Sequence, residues 1–300
     1  MDVSARSRNS TIKGPADTRS WWRSLNRGNR LRAIITTAIL LPIGFGWIYP
    51  FLWMVSAGFK TNQEIFGGLT LIPEDPQFGN FSRAWTDARI GEYFLNTVIV
   101  TVGSILIVLV SVAMIGYVLG RYQFPGKKAI IIAFAITVFL PEGYTIIPVF
   151  ELVNKLGLAN SLAGVTLAQA GGAHVVMVLL FAGYFAQLPK ELEEAAVVDG
   201  AGFFRVFWQI MLPLAKPIVA TTIILQFMHS WNAFLVPLVL TLSRPDLRTL
   251  AVGIYAFQGE FFTDWSGMAA AATISLAPIV IIFLFLQRYF VEGIAGAVKS

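Results

Sequence analysis

Two stretches of this sequence, 33–58 and 93–120, contain no charged residue. Each is longer than the about 20 residues that an α-helix needs to cross a hydrocarbon layer ~30 Å thick. Within lipid, an α-helix satisfies all of its backbone hydrogen bonds internally. Further apolar stretches, each with at most one charged residue, are also long enough to span: 129–150, 172–188, 217–242 and 266–287. We therefore predict an all-α membrane protein with six transmembrane helices in residues 33–287.

The composition agrees with a membrane protein and argues against other classes. Mean hydropathy is +0.69 and 13% of the residues are charged, about half of the roughly 25% usual in soluble domains. The net charge of +5 does not indicate nucleic-acid binding, because the basic residues lie beside the apolar stretches and not in stripes that alternate with aromatics. The absence of cysteine excludes disulfides and thiolate metal sites.

The distribution of basic residues predicts the orientation in the membrane. Of the 22 lysines and arginines, 16 fall on the side of the N-terminus and six on the other side when the six stretches span. Basic residues are enriched in cytoplasmic connections. We therefore predict a cytoplasmic N-terminal tail (1–32), a cytoplasmic C-terminal tail (288–300) and a long cytoplasmic connection between the fourth and fifth spans (189–216).

The 189–216 segment combines acidic residues with an aromatic run. Four acids fall within nine residues: Glu191, Glu193, Glu194 and Asp199. Acids in a first turn complement the helix dipole, and Gly200 can supply the left-handed residue that ends a helix. A second short helix over 203–212 is expected to end before Pro213, since the residue before a proline avoids helical geometry. The alternative interpretation is an ordinary amphipathic interfacial loop.

This segment resembles the signature of binding-protein-dependent ABC import permeases at every position. The matching residues are Glu194-Ala195-Ala196, Gly200 after three residues, Ile210 after nine more, and Leu212-Pro213. "FKTNQEIF" (59–66), "FPGKK" (124–128), "WNAF" (231–234) and "QRYFVEGIAGAVKS" (287–300) are similar to the carbohydrate-uptake branch, and the chain resembles the six-span permease of the maltose type. Ala233 stands where the family usually has an acid, so a role of that acid does not transfer.

The resemblance implies a transport subunit with defined partners. It implies that a cytoplasmic coupling helix pair contacts a separate ATPase through Glu194, Ala195, Ala196, Asp199, Gly200, Ile210, Leu212 and Pro213. It further implies a second homologous permease in a heterodimer, two ATPase subunits, an extracytoplasmic solute-binding protein and a bacterial or archaeal inner membrane. ATP and Mg would bind at the ATPase subunits, with no cofactor on this chain.

The sequence offers no catalytic or metal site of its own. Gly120 to Lys127 faintly suggests a phosphate loop, but five residues separate its glycines and Lys128 follows where Ser or Thr is needed. His174 and His229 have neither an acid nor a second histidine at ligand spacing, so we expect them to pack between helices.

Polar residues inside the apolar stretches are candidates for a translocation path, because they are costly in lipid. They are Glu142, Gln226, His229, Trp231 and Asn232. Hydrogen bonding between helices is the structural alternative. The functional alternatives are an ABC permease for a non-sugar solute, a secondary transporter driven by an ion gradient, and a membrane scaffold or channel. Paired intramembrane charges and inverted repeats would favour the secondary transporter.

Overall fold

The computed structural model describes residues 27–139, 142–172, 174–259 and 263–298, and their regular structure is helical. The one strand-like pairing among them is an isolated bridge between Gln258 and Thr263. The α-helices are α1 (Arg27–Ala57), α2 (Asn62–Phe66), α3 (Gly79–Thr86), α4 (Ile90–Arg121), α5 (Lys127–Thr137), α6 (Ile146–Lys155), α7 (Leu162–Ala170), α8 (Val175–Gln187), α9 (Glu191–Val198), α10 (Phe203–Val206), α11 (Leu212–Leu214), α12 (Lys216–Trp231), α13 (Leu235–Leu240), α14 (Leu250–Tyr255) and α15 (Trp265–Val298). The predicted all-α class is confirmed, while most of the tail predicted at 1–32 lies outside the described residues.

The chain divides into two compact units, Met1–Trp53 and Met54–Ser300. The described part of the first unit is the 27–53 portion of α1, a helix that contains Pro42 and Pro50. The second unit contains all the other helices.

Helix α4 is the central element of the second unit and packs against α7, α8, α12 and α14. Its buried residues recur every three or four positions, which is the spacing of one helix face: Tyr93, Thr97, Val100, Ser104, Val108 and Val112. Farther along, Tyr117 joins the main buried cluster with Phe181 and Phe185 of α8. Helix α4 therefore contributes residues to three buried clusters.

The pair Gly116 and Gly120 lets α4 and α8 approach closely. A β-carbon at Gly116 would collide with Phe181, and one at Gly120 would lie 2.6 Å from the carbonyl oxygen of Ala182. Small residues four apart commonly allow such contacts between membrane helices.

Three helical stretches are long and apolar enough to span a membrane singly: 30–57, Ile90–Arg121 and Trp265–Gln287. Two bent pairs, Leu162–Ala170 with Val175–Gln187 and Phe203–Leu214 with Lys216–Trp231, raise the number to as many as five among the described residues. The sixth apolar stretch of the sequence, 266–287, lies within α15, which continues to Val298.

The third apolar stretch, 129–150, is not the single helix that the sequence predicts. Helix α5 ends at Thr137, a 3₁₀ turn covers Glu142–Thr145, and α6 starts at Ile146. Pro141 lies just before that turn in the sequence. Because proline lacks an N–H and disfavours a helical residue before it, it breaks the pattern that hydropathy alone predicts.

The fifth stretch, 217–242, is also divided. Helix α12 ends at Trp231 and α13 starts at Leu235. Pro237 lies in the first turn of α13, where its missing N–H has no partner to lose. In one continuous helix its ring would collide with the carbonyl of Ala233.

Candidate functional site

Helix α9 is the first helix of the 189–216 segment, and residues close to it in the sequence explain where it begins and ends. Glu191, Glu193 and Glu194 occupy its first turn, where their charges complement the positive end of the helix dipole. It ends in a Schellman motif, in which the Ala201 N–H donates to the Ala196 carbonyl at 2.9 Å and the Gly200 N–H donates to the Val197 carbonyl at 3.0 Å. Gly200 has a φ of 81°, so the predicted left-handed glycine is confirmed.

The second half of the segment departs from the prediction. Helix α10 is followed by a π-helical turn (Phe207–Met211) and by α11, which contains Pro213. The expected helix end before Pro213 is wrong, because Leu212 keeps helical angles of φ −65° and ψ −41°. A π turn is wider than an α turn, which makes room between the proline ring and the carbonyl four residues earlier.

A sharp bend separates this segment from the helix that follows. Phe203–Leu214 and Lys216–Trp231 meet at 81°. The bend lies at Ala215, which is fully buried and donates its N–H to the carbonyls of Met211 and Leu212. The Phe203–Leu214 part of the segment therefore runs almost perpendicular to α12.

The residues predicted for ATPase contact lie on two sides of the segment. One group is exposed: Glu194, Ala195, Asp199, Gly200 and Pro213. The other group faces the bundle, with Ala196 buried in the main core and Ile210 and Leu212 packed against that core. The inward residues hold the segment in place, and the outward residues leave an acidic surface open.

Apolar side chains accompany the acids on the outer surface. Val197 is 61% exposed, Val198 86% and Phe204 62%. Beside them lies an open depression of about 410 Å³, lined by Arg121, Tyr122, Glu193, Glu194, Val197 and Val198. Exposed valines and a phenylalanine next to carboxylates are suited to contact with another protein subunit.

Sequence reasoning missed Arg121, the last residue of α4. Its Nε donates to Glu193 Oε2 at 2.9 Å, while its side chain is only 4% exposed. Its Nη1 also donates to the carbonyl of Leu188 at 2.7 Å. In the sequence, an arginine at the end of an apolar stretch looks like an orientation signal, and no local pattern indicates its partners.

The described residues predicted along a translocation path differ in burial. Gln226 is fully buried, and within the described part of the chain neither polar atom of its amide has a hydrogen-bond partner. Trp231 is buried as well, and its Nε1 donates to the carbonyl of Ser275 in α15 at 3.2 Å. These two side chains face the inside of the helix packing.

Two of the other candidates, Asn232 and His229, are exposed, unlike Gln226 and Trp231. Asn232 is exposed at the end of α12, where its amide donates to the carbonyl of Met228 at 2.8 Å. The backbone of Glu142 lies in the 3₁₀ turn, and its side chain is outside what the structure describes. His229 is also exposed.

The structure brings the two histidines together, although they are far apart in the sequence. The ring centroids of His174 and His229 lie 6.0 Å apart in an edge-to-face contact. His174 is the residue directly before α8, and His229 lies in the last turn of α12. The two rings thus contact each other between α8 and α12, while His229 remains exposed.

Helices of membrane length, packed as a bundle and carrying an exposed acidic surface on the 189–216 segment, define the class of the fold as a helical membrane protein. Residues 93–296 match the family model described as a binding-protein-dependent transport system inner membrane component. The chain belongs to this family of ABC permeases, which confirms the resemblance found in its signature.

Named relatives and a solved structure are similar over most of the chain. A diacetylchitobiose uptake system permease (NgcG) of Streptomyces coelicolor is 33% identical, covering 93% of this chain and 91% of the relative. An arabinooligosaccharides transport system permease (AraQ) of Halalkalibacterium halodurans is 34% identical, covering 87% and 96%. A chain from the crystal structure of a bacterial ABC transporter involved in alginate import superposes with a TM-score of 0.75 at 23% identity, covering 89% of this chain and 99% of the other, so the fold is shared.

Proposed function

We propose that this chain is a permease subunit of an ATP-driven importer for a sugar or oligosaccharide, and that it forms half of the translocation pathway. The observation that carries the proposal is the similarity to a diacetylchitobiose permease over 93% of the chain. A likeness of that extent includes both the bundle and the 189–216 segment.

The 189–216 segment serves as the coupling element in this proposal. If α12 crosses the bilayer, the 81° bend directs Phe203–Leu214 along the membrane surface, where a cytoplasmic ATPase can reach it. The exposed acids and valines of α9 supply the contact. ATP and Mg bind at two ATPase subunits, and this chain has no catalytic role.

The proposed topology has six spans with both termini in the cytoplasm. The third span is discontinuous and consists of α5, the 3₁₀ turn and α6. Non-helical backbone at membrane depth is tolerated where protein or a water-filled cavity surrounds it. A second, homologous permease completes a heterodimer in a bacterial or archaeal inner membrane, and a solute-binding protein docks on the outside.

Transport then follows from two conformations of the helices. ATP binding closes the ATPases, the coupling element moves with them, and the bundle changes from inward-facing to outward-facing. A ligand shifts an equilibrium only by its differential affinity for the two states. ATP and the loaded binding protein must therefore both favour the outward-facing state.

A radiolabelled uptake panel in cells with and without this subunit tests the proposal. It should contain sugars, oligosaccharides and non-sugar solutes, and co-purification should recover an ATPase subunit. Uptake of a non-sugar solute alone would contradict the assigned substrate class. Uptake that follows an ion gradient, with no ATPase recovered, would contradict the ABC assignment.

A further inference from the structure

We propose that Arg121 is a positioning residue that fixes the 189–216 segment rigidly to α4, so that movement of the segment moves the central helix. This inference rests on the proposed function, because it assumes that an ATPase moves the segment. It does not depend on which solute is carried.

One guanidinium joins three elements. From the end of α4, Arg121 binds Glu193 in the first turn of α9 and donates from Nη1 to the carbonyls of Leu188 at 2.7 Å and Phe185 at 3.3 Å. Its Nη2 lies 3.4 Å from the carbonyl of Pro189. Carbonyls at the end of a helix have no partner within it, so Arg121 satisfies the end of α8 and fixes the direction in which the chain enters α9.

The burial of this contact makes it specific. The side chains of Arg121 and Glu193 are only 4% and 19% exposed. Separating them would therefore leave two unpaired charges in a site that excludes most water. Lysine cannot reproduce the contact, because a single ammonium lacks the planar fork that reaches several acceptors. The pair is therefore expected to move as one unit.

A second contact attaches the segment to the same turn of α4. The ring of Tyr117 lies 5.4 Å from the rings of both Phe203 and Phe207, measured between centroids. Residues four apart share a helix face, so Tyr117 and Arg121 hold α10 and α9 from one side. Together they prevent the segment from rotating independently of α4.

Helix α4 extends this connection to the opposite end of the bundle. Its Ser104 hydroxyl donates to Ser230 Oγ of α12 at 3.0 Å. Its Thr97 hydroxyl accepts the Leu250 N–H at the start of α14 at 2.7 Å. A displacement that enters at Arg121 thus reaches two helices far from the segment.

Spin-label distances in the assembled, reconstituted importer test the inference. The chain has no cysteine, so Leu106→Cys in α4 and Leu192→Cys in α9 provide two labels at positions that are 59% and 39% exposed and outside the proposed ATPase contact. In the parent, the distance distribution should stay narrow and unchanged when MgATP and vanadate are added. In Arg121→Lys and Glu193→Gln it should broaden and shift by several ångström, because the segment then moves without α4.

Arg89→Lys is the matched control, since Arg89 pairs with Glu92 at the other end of α4 but is 44% exposed. It should behave like the parent. A parent distance that changes with ATP, or an unchanged distance in both Arg121→Lys and Glu193→Gln, would overturn the inference. ATPase co-purification is measured on the same samples, and a parent complex without an ATPase would contradict the proposed function itself.

Discussion

Gln226 combines complete burial with an amide that has no hydrogen-bond partner among the described residues. An unsatisfied buried polar group costs about 1–3 kcal/mol, so its retention in α12 calls for a reason other than stability in this conformation. Exposure to the pathway in the alternate conformation is such a reason, and it is consistent with the proposed transport cycle.

Gln226→Leu should therefore separate transport from stability. Leucine removes the unpaired groups at similar volume, so we expect thermal unfolding of the purified complex to occur at the same temperature or higher. Solute uptake should fall, because the amide is missing when α12 rearranges. Asn232→Ala, which changes an exposed residue, is compared with Gln226→Leu in the same unfolding and uptake measurements. Lower stability of Gln226→Leu would instead identify the amide as a hydrogen-bonding link between helices.

The helix pair in the 189–216 segment depends on the turn between α9 and α10. Gly200 has a φ of 81°, and a β-carbon there would meet no atom within 4 Å. The cost of a side chain is therefore conformational alone, about 1–2 kcal/mol for a left-handed residue. Relief of that strain would change the angle between the two short helices.

Gly200→Ala should leave the protein in the membrane but weaken both ATPase co-purification and uptake. Gly202→Ala is a matched control two residues away, because it also has open space around the β-carbon but has an ordinary φ of −77°. It should behave like the parent. Equal losses in both variants would mean that added bulk, and not the left-handed turn, impairs docking.

The elements that could be predicted from the sequence are those with local causes. Uninterrupted apolar residues predicted α4, and the acids of the first turn with Gly200 predicted α9. The π turn before Pro213 could not be predicted, since it depends on how Phe207 and Met211 pack in the core. Contacts between distant residues, such as that of Arg121 with Glu193 or that of His174 with His229, require the tertiary structure.

For the chain as a whole, the 16 to 6 distribution of basic residues predicts one orientation. Reporter fusions at residues 70 and 255 should report an external location, and fusions at residue 124 and at the C-terminus a cytoplasmic one. The discontinuous third stretch makes the fusions at residue 255 and at the C-terminus informative, because a re-entrant loop in that stretch would reverse every later position. An external C-terminus would contradict the six-span topology.

The most direct measurement is site-specific crosslinking to the ATPase subunit. The chain contains no cysteine, so Val198→Cys on the outer surface of α9 introduces a single reactive thiol at a position that is 86% exposed. Ile72→Cys, at an 83% exposed position in a predicted external connection, is the control. We expect a reagent with one thiol-reactive and one photoreactive end to join Val198→Cys to the ATPase subunit, and Ile72→Cys to react only with an impermeant maleimide added outside. An ATPase that crosslinks to Ile72→Cys, or that never crosslinks to Val198→Cys in a transporting complex, would contradict the assignment of 189–216 as the coupling element.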